Sequence, residues 1–277
     1  MIKRPFTIPS QDGTEIRGDL RLPEGEPPLS GIVVSHGFKG FKDWGFFPHL
    51  CEHLARDGHA VVSFNFSLNG IGDDPIEFTE LEKFARNTLS RDVDEILTVL
   101  NKVRAGEILS VPPTRLGLFG HSRGGGEAIV AARDDQHLDA LVTWAGLADF
   151  DRWSKEVKEE WRSEGRIYVM NARTGQQMPL NLDLLEDFES HRERLDIETA
   201  ASELGNLPWM IVHGERDMAV PVSDARRLAS VNCDALVEVI PGAGHSFEAV
   251  HPFRGSTPEL DRAMHFTAGH FRRHLIP

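Results

Sequence analysis

The sequence predicts an α/β protein: a doubly wound, mostly parallel sheet with an antiparallel N-terminal hairpin and an inserted cap. Three observations lead there. Short apolar runs bounded by glycine alternate with longer segments of helical periodicity, the pattern of buried parallel strands and their crossover helices. Residues 4–22 alternate in polarity and are split by Gln11-Asp12-Gly13-Thr14, a hairpin signal. A charge-rich interval, 149–206, interrupts the alternation with a pattern of its own.

The elements follow in order. Pro23 to Ser30 reads as a loop, and Gly31-Ile-Val-Val-Ser-His36 as a strand buried on both faces. A helix is expected over Phe46–Asp57, stopped by Gly58, then a strand over Ala60–Phe66 and a loop over Asn69–Pro75. Leu81, Phe84, Ala85, Val93, Ile96, Leu97 and Leu100 share one helical face, which predicts a single long helix to about Arg104. Strands follow at 115–120 and 139–146. Within 149–206 we expect a helix over 150–164, a hairpin of Ile167–Asn171 with Gln176–Leu180, and a helix over 182–195. This defines a core of residues 1–148 and 207–277 and a cap of 149–206. Strands at 209–213 and 235–240 and helices near 222–231 and 258–274 complete the core.

Composition narrows the function. The 277 residues are 40% hydrophobic and 26% charged, ordinary for a globular protein. A net charge of −13 argues against a nucleic-acid or anionic membrane partner. Cys51 and Cys233 lie far apart in apolar surroundings, so buried free thiols in a reducing compartment are expected. The N-terminus lacks a signal-type apolar segment, which gives a cytoplasmic expectation. The expected partner is a small-molecule substrate, and a homodimer is left open.

The chemistry centres on Arg115-Leu-Gly-Leu-Phe-Gly-His-Ser-Arg-Gly-Gly-Gly126, which contains G-x-S-x-G between a strand and a helix. Such a turn strains the serine backbone and lifts its hydroxyl off the sheet. Ser122 would need a base, because a serine hydroxyl is a poor nucleophile at neutral pH. His245, in Pro241-Gly-Ala-Gly-His-Ser-Phe247 after the last strand, is the strongest of the 13 histidines. His36 and His213 end strands and read as loop braces, while His265, His270 and His274 read as surface residues. Asp217, on the loop leaving the strand at 209–213, supplies the carboxylate in the order Ser, Asp, His; Glu215, Asp149 and Asp151 compete. The N–H groups of Phe38, after His36-Gly37, and Arg123 are the candidate oxyanion donors. His36, His121, Trp153, Tyr168 and Met170 are candidate pocket residues. No metal-ligand spacing occurs, and no cofactor is expected.

Gly31–Phe38, Gly120–Gly124, His213–Asp217 and Gly244-His245 together make the chain resemble the α/β-hydrolase superfamily over nearly its whole length. Within it, the hairpin start, the His-Gly-Phe loop and the cap are similar to bacterial cinnamoyl/feruloyl esterases and to the dienelactone-hydrolase and acyl-peptidase-like group. Dienelactone hydrolases carry a cysteine nucleophile, whereas Ser122 stands here. Many relatives have an Asp-x-Arg-Gly-type loop where this chain has Ser67-Leu-Asn-Gly-Ile-Gly72. The resemblance implies serine-ester hydrolysis without a cofactor, on small or aromatic, including hydroxycinnamoyl, esters. The alternatives are an acylaminoacyl or dipeptidyl-type peptidase, anchored by Glu186, Asp187 or Arg173, and an inactive binding protein of the same fold.

Overall fold

The computed structural model of the chain describes residues 1–25, 28, 30–74 and 76–276. Parts of the expected loops at 23–30 and 69–75 therefore lie outside the described residues. The N-terminal hairpin is β1 (Ile2–Pro9) and β2 (Glu15–Leu22). The core continues with β3 (Ser30–Ser35), α1 (Phe47–Arg56), β4 (Ala60–Asn65), α2 (Leu81–Ala85) and α3 (Leu89–Arg104). Next come β5 (Arg115–His121), α4 (Arg123–Asp134) and β6 (Ala140–Trp144). Between β6 and β9 lie α5 (Lys155–Glu164), β7 (Arg166–Met170), β8 (Gln177–Asn181), α6 (Asp183–Ser190) and α7 (Ile197–Ser202). The chain closes with β9 (Trp209–Gly214), α8 (Ser223–Val231), β10 (Leu236–Ile240) and α9 (Pro258–Leu275).

The main sheet runs β1-β2-β4-β3-β5-β6-β9-β10. β1–β2 and β2–β4 are antiparallel, and every pairing from β4 to β10 is parallel. The central strands are mainly apolar because both faces are covered, and their apolar residues divide between two cores by the strand's period of two. Val33, Leu118, Leu141 and Ile211 face α3, α4, α7 and α8, whereas Ile32, Phe119, Val142 and Val212 face α1 and α9. Burying each such side chain stabilises the fold by about 1.5–3 kcal/mol. α9 runs across β5, β6, β9 and β10, and Gly117 gives it room: a Cβ there would lie 2.8 Å from Phe271 and 2.9 Å from Leu275.

Several expectations are corrected. The long helix over 81–104 is two helices, broken at Arg86-Asn87-Thr88. Asn87 Nδ2 donates to both oxygens of Asp92 at 2.9 and 3.0 Å, and Thr88 is extended. Such polar side-chain bonds compete with helical backbone pairing. α5 starts at Lys155 rather than 150, with the Ser154 hydroxyl accepting from Val157 N–H, and ends at left-handed Gly165. The helix expected over 182–195 ends at Ser190, and a further helix, α7, packs on α4 and α8. Cys233 is exposed, although Cys51 is buried as expected. His270 is buried, with Nε2 3.2 Å from Pro208 O, because it falls on the sheet-facing side of α9.

Candidate active site

β5 delivers Ser122 to the carboxyl edge of the sheet and α4 leaves at once, so a single residue makes the turn. Its backbone lies at φ 60°, ψ −124°, in the left-handed half of the map, at a cost of about 1–3 kcal/mol. Ser122 N–H donates to Trp144 O at 2.8 Å, which ties the strained residue to β6. The flanking glycines answer to close backbone approach. A Cβ on Gly120 would lie 2.2 Å from Gly124 O, and one on Gly124 would lie 2.3 Å from His36 O.

Three side chains from three different connections form a hydrogen-bonded line. The Ser122 hydroxyl lies 2.9 Å from His245 Nε2, and His245 Nδ1 lies 2.7 Å from Asp217 Oδ2. Asp217 also accepts through Oδ1 from the N–H groups of Ala219 (2.8 Å) and Val220 (2.9 Å). Burial alone would raise its carboxyl pKa. The contacts with His213, His245 and the Val220 N–H outweigh burial and hold it well below the usual carboxylate range. An ionised Asp217 keeps the imidazole proton on Nδ1, leaving the Nε2 lone pair facing the serine O–H. An imidazole in that tautomer can take a proton from the hydroxyl. His213 braces the same loop, with Nε2 2.9 Å from Val220 O and 3.5 Å from Asp217 Oδ2.

Phe38 and Arg123 flank Ser122. Arg123 is the first residue of α4, so its N–H lacks an intrahelical acceptor and sits at the positive end of the helix dipole. Phe38 follows Gly37, where an added Cβ would lie 2.8 Å from His121 O, 2.9 Å from Ser122 Cβ and 3.4 Å from Arg123 N. The absence of a side chain at 37 lets the loop after β3 lie directly on the serine turn. Both residues line a cavity of about 410 Å³ that opens over Ser122 and His245.

Of the expected pocket residues, Trp153 lines this cavity, packed against Trp161 and Phe188 at ring separations of 5.4 and 5.9 Å. The other four do not. Tyr168 and Met170 are 59% and 50% exposed on the outer face of β7, and Val169 points into the cavity instead. A strand reverses its faces with each residue, so an error of one position moves every side chain to the wrong side. His36 is buried beneath the loop after β3, its Nδ1–H donating to Gly37 O at 3.0 Å. Burial pushes its pKa down to about 4. His121 is buried behind His245, the rings 4.8 Å apart, and Nε2–H donates to His245 O at 3.0 Å. Burial, and then the neighbouring imidazole, push its pKa down to about 3, so it is a neutral donor.

The walls that sequence reasoning missed are Leu89 on α3, Leu147 and Phe150 after β6, Leu180 on β8 and Leu184 on α6. Their one sequence signal is position, just beyond a strand's carboxyl end or on the inward face of the 149–206 segment. The ionisable lining residues other than His245 are Lys39, Arg123 and Arg152, all cations. Lys39 Nζ donates to Met170 O at 2.9 Å, and Arg152 Nη2 to Ala219 O at 2.8 Å. Among the described residues, no group of three or more His, Cys, Asp or Glu side chains is arranged to hold a metal ion. No helix among them is long and apolar enough to cross a membrane.

The sheet order, the serine turn and the polar groups at the strand ends define an α/β-hydrolase fold. Residues 16–259 match the sequence model of the Dienelactone hydrolase family, and the chain belongs to that family. It is 26% identical over 237 residues to 2,6-dihydropseudooxynicotine hydrolase of Paenarthrobacter nicotinovorans, covering 83% of this chain and 53% of that protein. The chain thus spans about half the length of this relative. It is 24% identical over 275 residues to the uncharacterized peptidase YuxL of Bacillus subtilis, covering 96% of this chain and 38% of the other. Among solved structures, Est1E from Butyrivibrio proteoclasticus with bound ferulic acid superposes with a TM-score of 0.72 at 19% identity, covering 98% of this chain and 100% of that one.

Proposed function

We propose that the chain is a serine carboxylic-ester hydrolase acting through an acyl-enzyme on small or aromatic acyl esters, hydroxycinnamoyl esters included. The observation that carries this reading is the Ser122–His245–Asp217 line, at 2.9 and 2.7 Å, at the floor of a largely apolar cavity. In the proposed mechanism, His245 Nε2 takes the hydroxyl proton as Ser122 Oγ bonds to the ester carbonyl carbon. The N–H groups of Phe38 and Arg123 receive the oxyanion. Collapse breaks the C–O bond to the alcohol, which leaves with the proton from His245. Water then attacks the acyl-enzyme, giving its proton to His245, and the second collapse frees the acid and restores the serine O–H. Asp217 holds the imidazole tautomer throughout.

The acyl-group assignment rests on the cavity walls, where Phe150 and Trp153 offer aromatic surface. The ferulate-bearing neighbour is consistent with that size class. The YuxL match keeps a peptidase reading in view, but the lining offers no carboxylate to hold a free substrate ammonium. The anchors expected for a peptidase are also engaged or remote. Asp187 accepts from Ser90 N–H at 2.9 Å, Arg173 donates to Ile76 O, and Glu186 is exposed.

The test compares p-nitrophenyl esters and methyl ferulate with an aminoacyl p-nitroanilide, alongside fluorophosphonate labelling. Esters should dominate, and the label should reside on Ser122 and vanish in Ser122→Ala with at least about a 10⁴-fold loss of turnover. Dominant anilide cleavage would sink the esterase assignment, and an unlabelled, folded wild type would sink the serine mechanism.

A further inference from the structure

Arg123 carries more than a backbone N–H. Its guanidinium carbon lies 4.7 Å from the centroid of the Phe38 ring, within the range in which a cation is attracted to an aromatic face. On its far side, Nη2 donates to Asp92 Oδ2 at 2.8 Å, and Nε makes an ion-pair contact of 2.9 Å with Glu127 Oε1. Both acids are fully buried, and Asn87 holds both oxygens of Asp92. The Phe38 ring is backed in turn by Phe84 on α2, at 5.4 Å. The two residues whose N–H groups face the reacting carbonyl in the proposed mechanism are therefore joined a second time, through their side chains.

Burying this ion cluster is costly. Two carboxyls without water repel each other, and burial followed by the charge of Glu127 pushes the Asp92 pKa well up. A buried ion cluster seldom outperforms apolar packing in stability, so what this one supplies is geometry. Glu127 lies on the same helix as Arg123, one turn on, and Asp92 lies on α3. The guanidinium is fixed relative to the serine turn, whereas the Phe38 ring rides on the loop after β3, held besides by the Lys39 bond to Met170 O.

We propose that Arg123 is a positioning residue for the oxyanion hole: its guanidinium, anchored by Asp92 and Glu127, clamps the Phe38 ring and so fixes the Phe38 N–H beside its own. This rests on the acyl-transfer reading of the site. A displacement of about 1 Å at such a donor costs roughly 100-fold, so the clamp acts on kcat rather than on ground-state binding.

The experiment is a double-mutant cycle of Arg123→Met and Phe38→Leu, with Phe38→Tyr as the conservative variant. It is read with an uncharged p-nitrophenyl ester and with an arylboronic acid as tetrahedral mimic. Each single change should lower kcat about 10- to 100-fold, leave KM within about threefold, and weaken boronate binding in step with kcat. The double variant should be no worse than the weaker single one, and Phe38→Tyr should recover most of the loss. Phe38→Leu leaves the buried acids their cation, so it decides the matter even if Arg123→Met fails to fold. Additive losses, an unaffected Phe38→Leu, or an Arg123→Met defect confined to KM would each overturn the clamp while leaving ester hydrolysis standing. A wild type that turns over no ester would overturn both.

Discussion

Asp217 makes more contacts than fixing the His245 tautomer requires: two backbone N–H groups, His245 and the more distant His213. An asparagine could be held in the same place, yet its amide could present an N–H to His245 Nδ1 and force the proton onto Nε2. Asp217→Asn should therefore lower kcat on the order of 10⁴-fold with little change in melting temperature, measured on p-nitrophenyl acetate. A loss below about tenfold would remove Asp217 from the mechanism. Gly37 gives a second residue-scale prediction. Alanine there places a methyl 2.8 Å from His121 O and 2.9 Å from Ser122 Cβ, so the loop or the serine turn must shift. Gly37→Ala should cut kcat by about 100-fold through displacement of the Phe38 loop. Wild-type rates in the folded variant would show that the loop tolerates the shift.

At the scale of elements, β7 separates what the sequence revealed from what it hid. Ser122, Asp217 and His245 could be grouped from sequence because each follows a strand of the main sheet and each has a glycine close by in the chain. Tyr168 and Met170 drew attention by residue type, but only the pairing of β7 with β8 and its packing on the core decide which face looks inward. The same limit applied to the break between α2 and α3. The apolar spacing runs straight through it, and the interruption comes from a polar bond between Asn87 and Asp92 that periodicity does not record. The side chain of Arg123 was hidden for a related reason, since its acids come from α3 and from further along α4. The β7 faces can be tested directly. Tyr168→Ala should leave kcat/KM within about twofold, whereas Val169→Trp, filling the cavity, should lower kcat/KM for bulky aromatic esters at least tenfold relative to acetate. Equal effects from both changes would contradict the assigned faces.

For the molecule as a whole, acid stability follows from its buried imidazoles. His36, His59 and His270 are pushed down to about 4 and His121 to about 3, in each case chiefly by burial. Their unfolded values lie near 6.5, so below that pH the unfolded chain binds protons that the native state refuses. Stability then falls as pH drops from about 6.5 toward 4, by about 1.4 kcal/mol per pH unit for each such histidine. Asp92 and Glu127, raised mainly by burial, act in the opposite sense, losing stability as pH rises through their folded values. Four groups against two leave the histidines dominant. Urea unfolding at pH 7, 6 and 5 should show a falling free energy, and a flat profile would mean that these imidazoles are hydrated. The cavity offers a second test at this scale. With Lys39 and Arg152 in its lining, a cationic choline-type ester should show a higher KM than an uncharged ester of equal size, the gap narrowing with added salt.

α9 contributes no side chain to the cavity lining, yet the site stands on it. Thr267 accepts from the Trp144 indole at 2.8 Å, and the carbonyl of that same tryptophan holds Ser122 N–H. Trp144 also packs on Phe247, two residues past His245, at 4.9 Å. A ribosome that has extruded the chain through His245 has thus produced Ser122, Asp217 and His245 without the support that aligns them. A nascent chain whose residues 258–275 have not yet emerged should therefore be silent toward ester and fluorophosphonate alike.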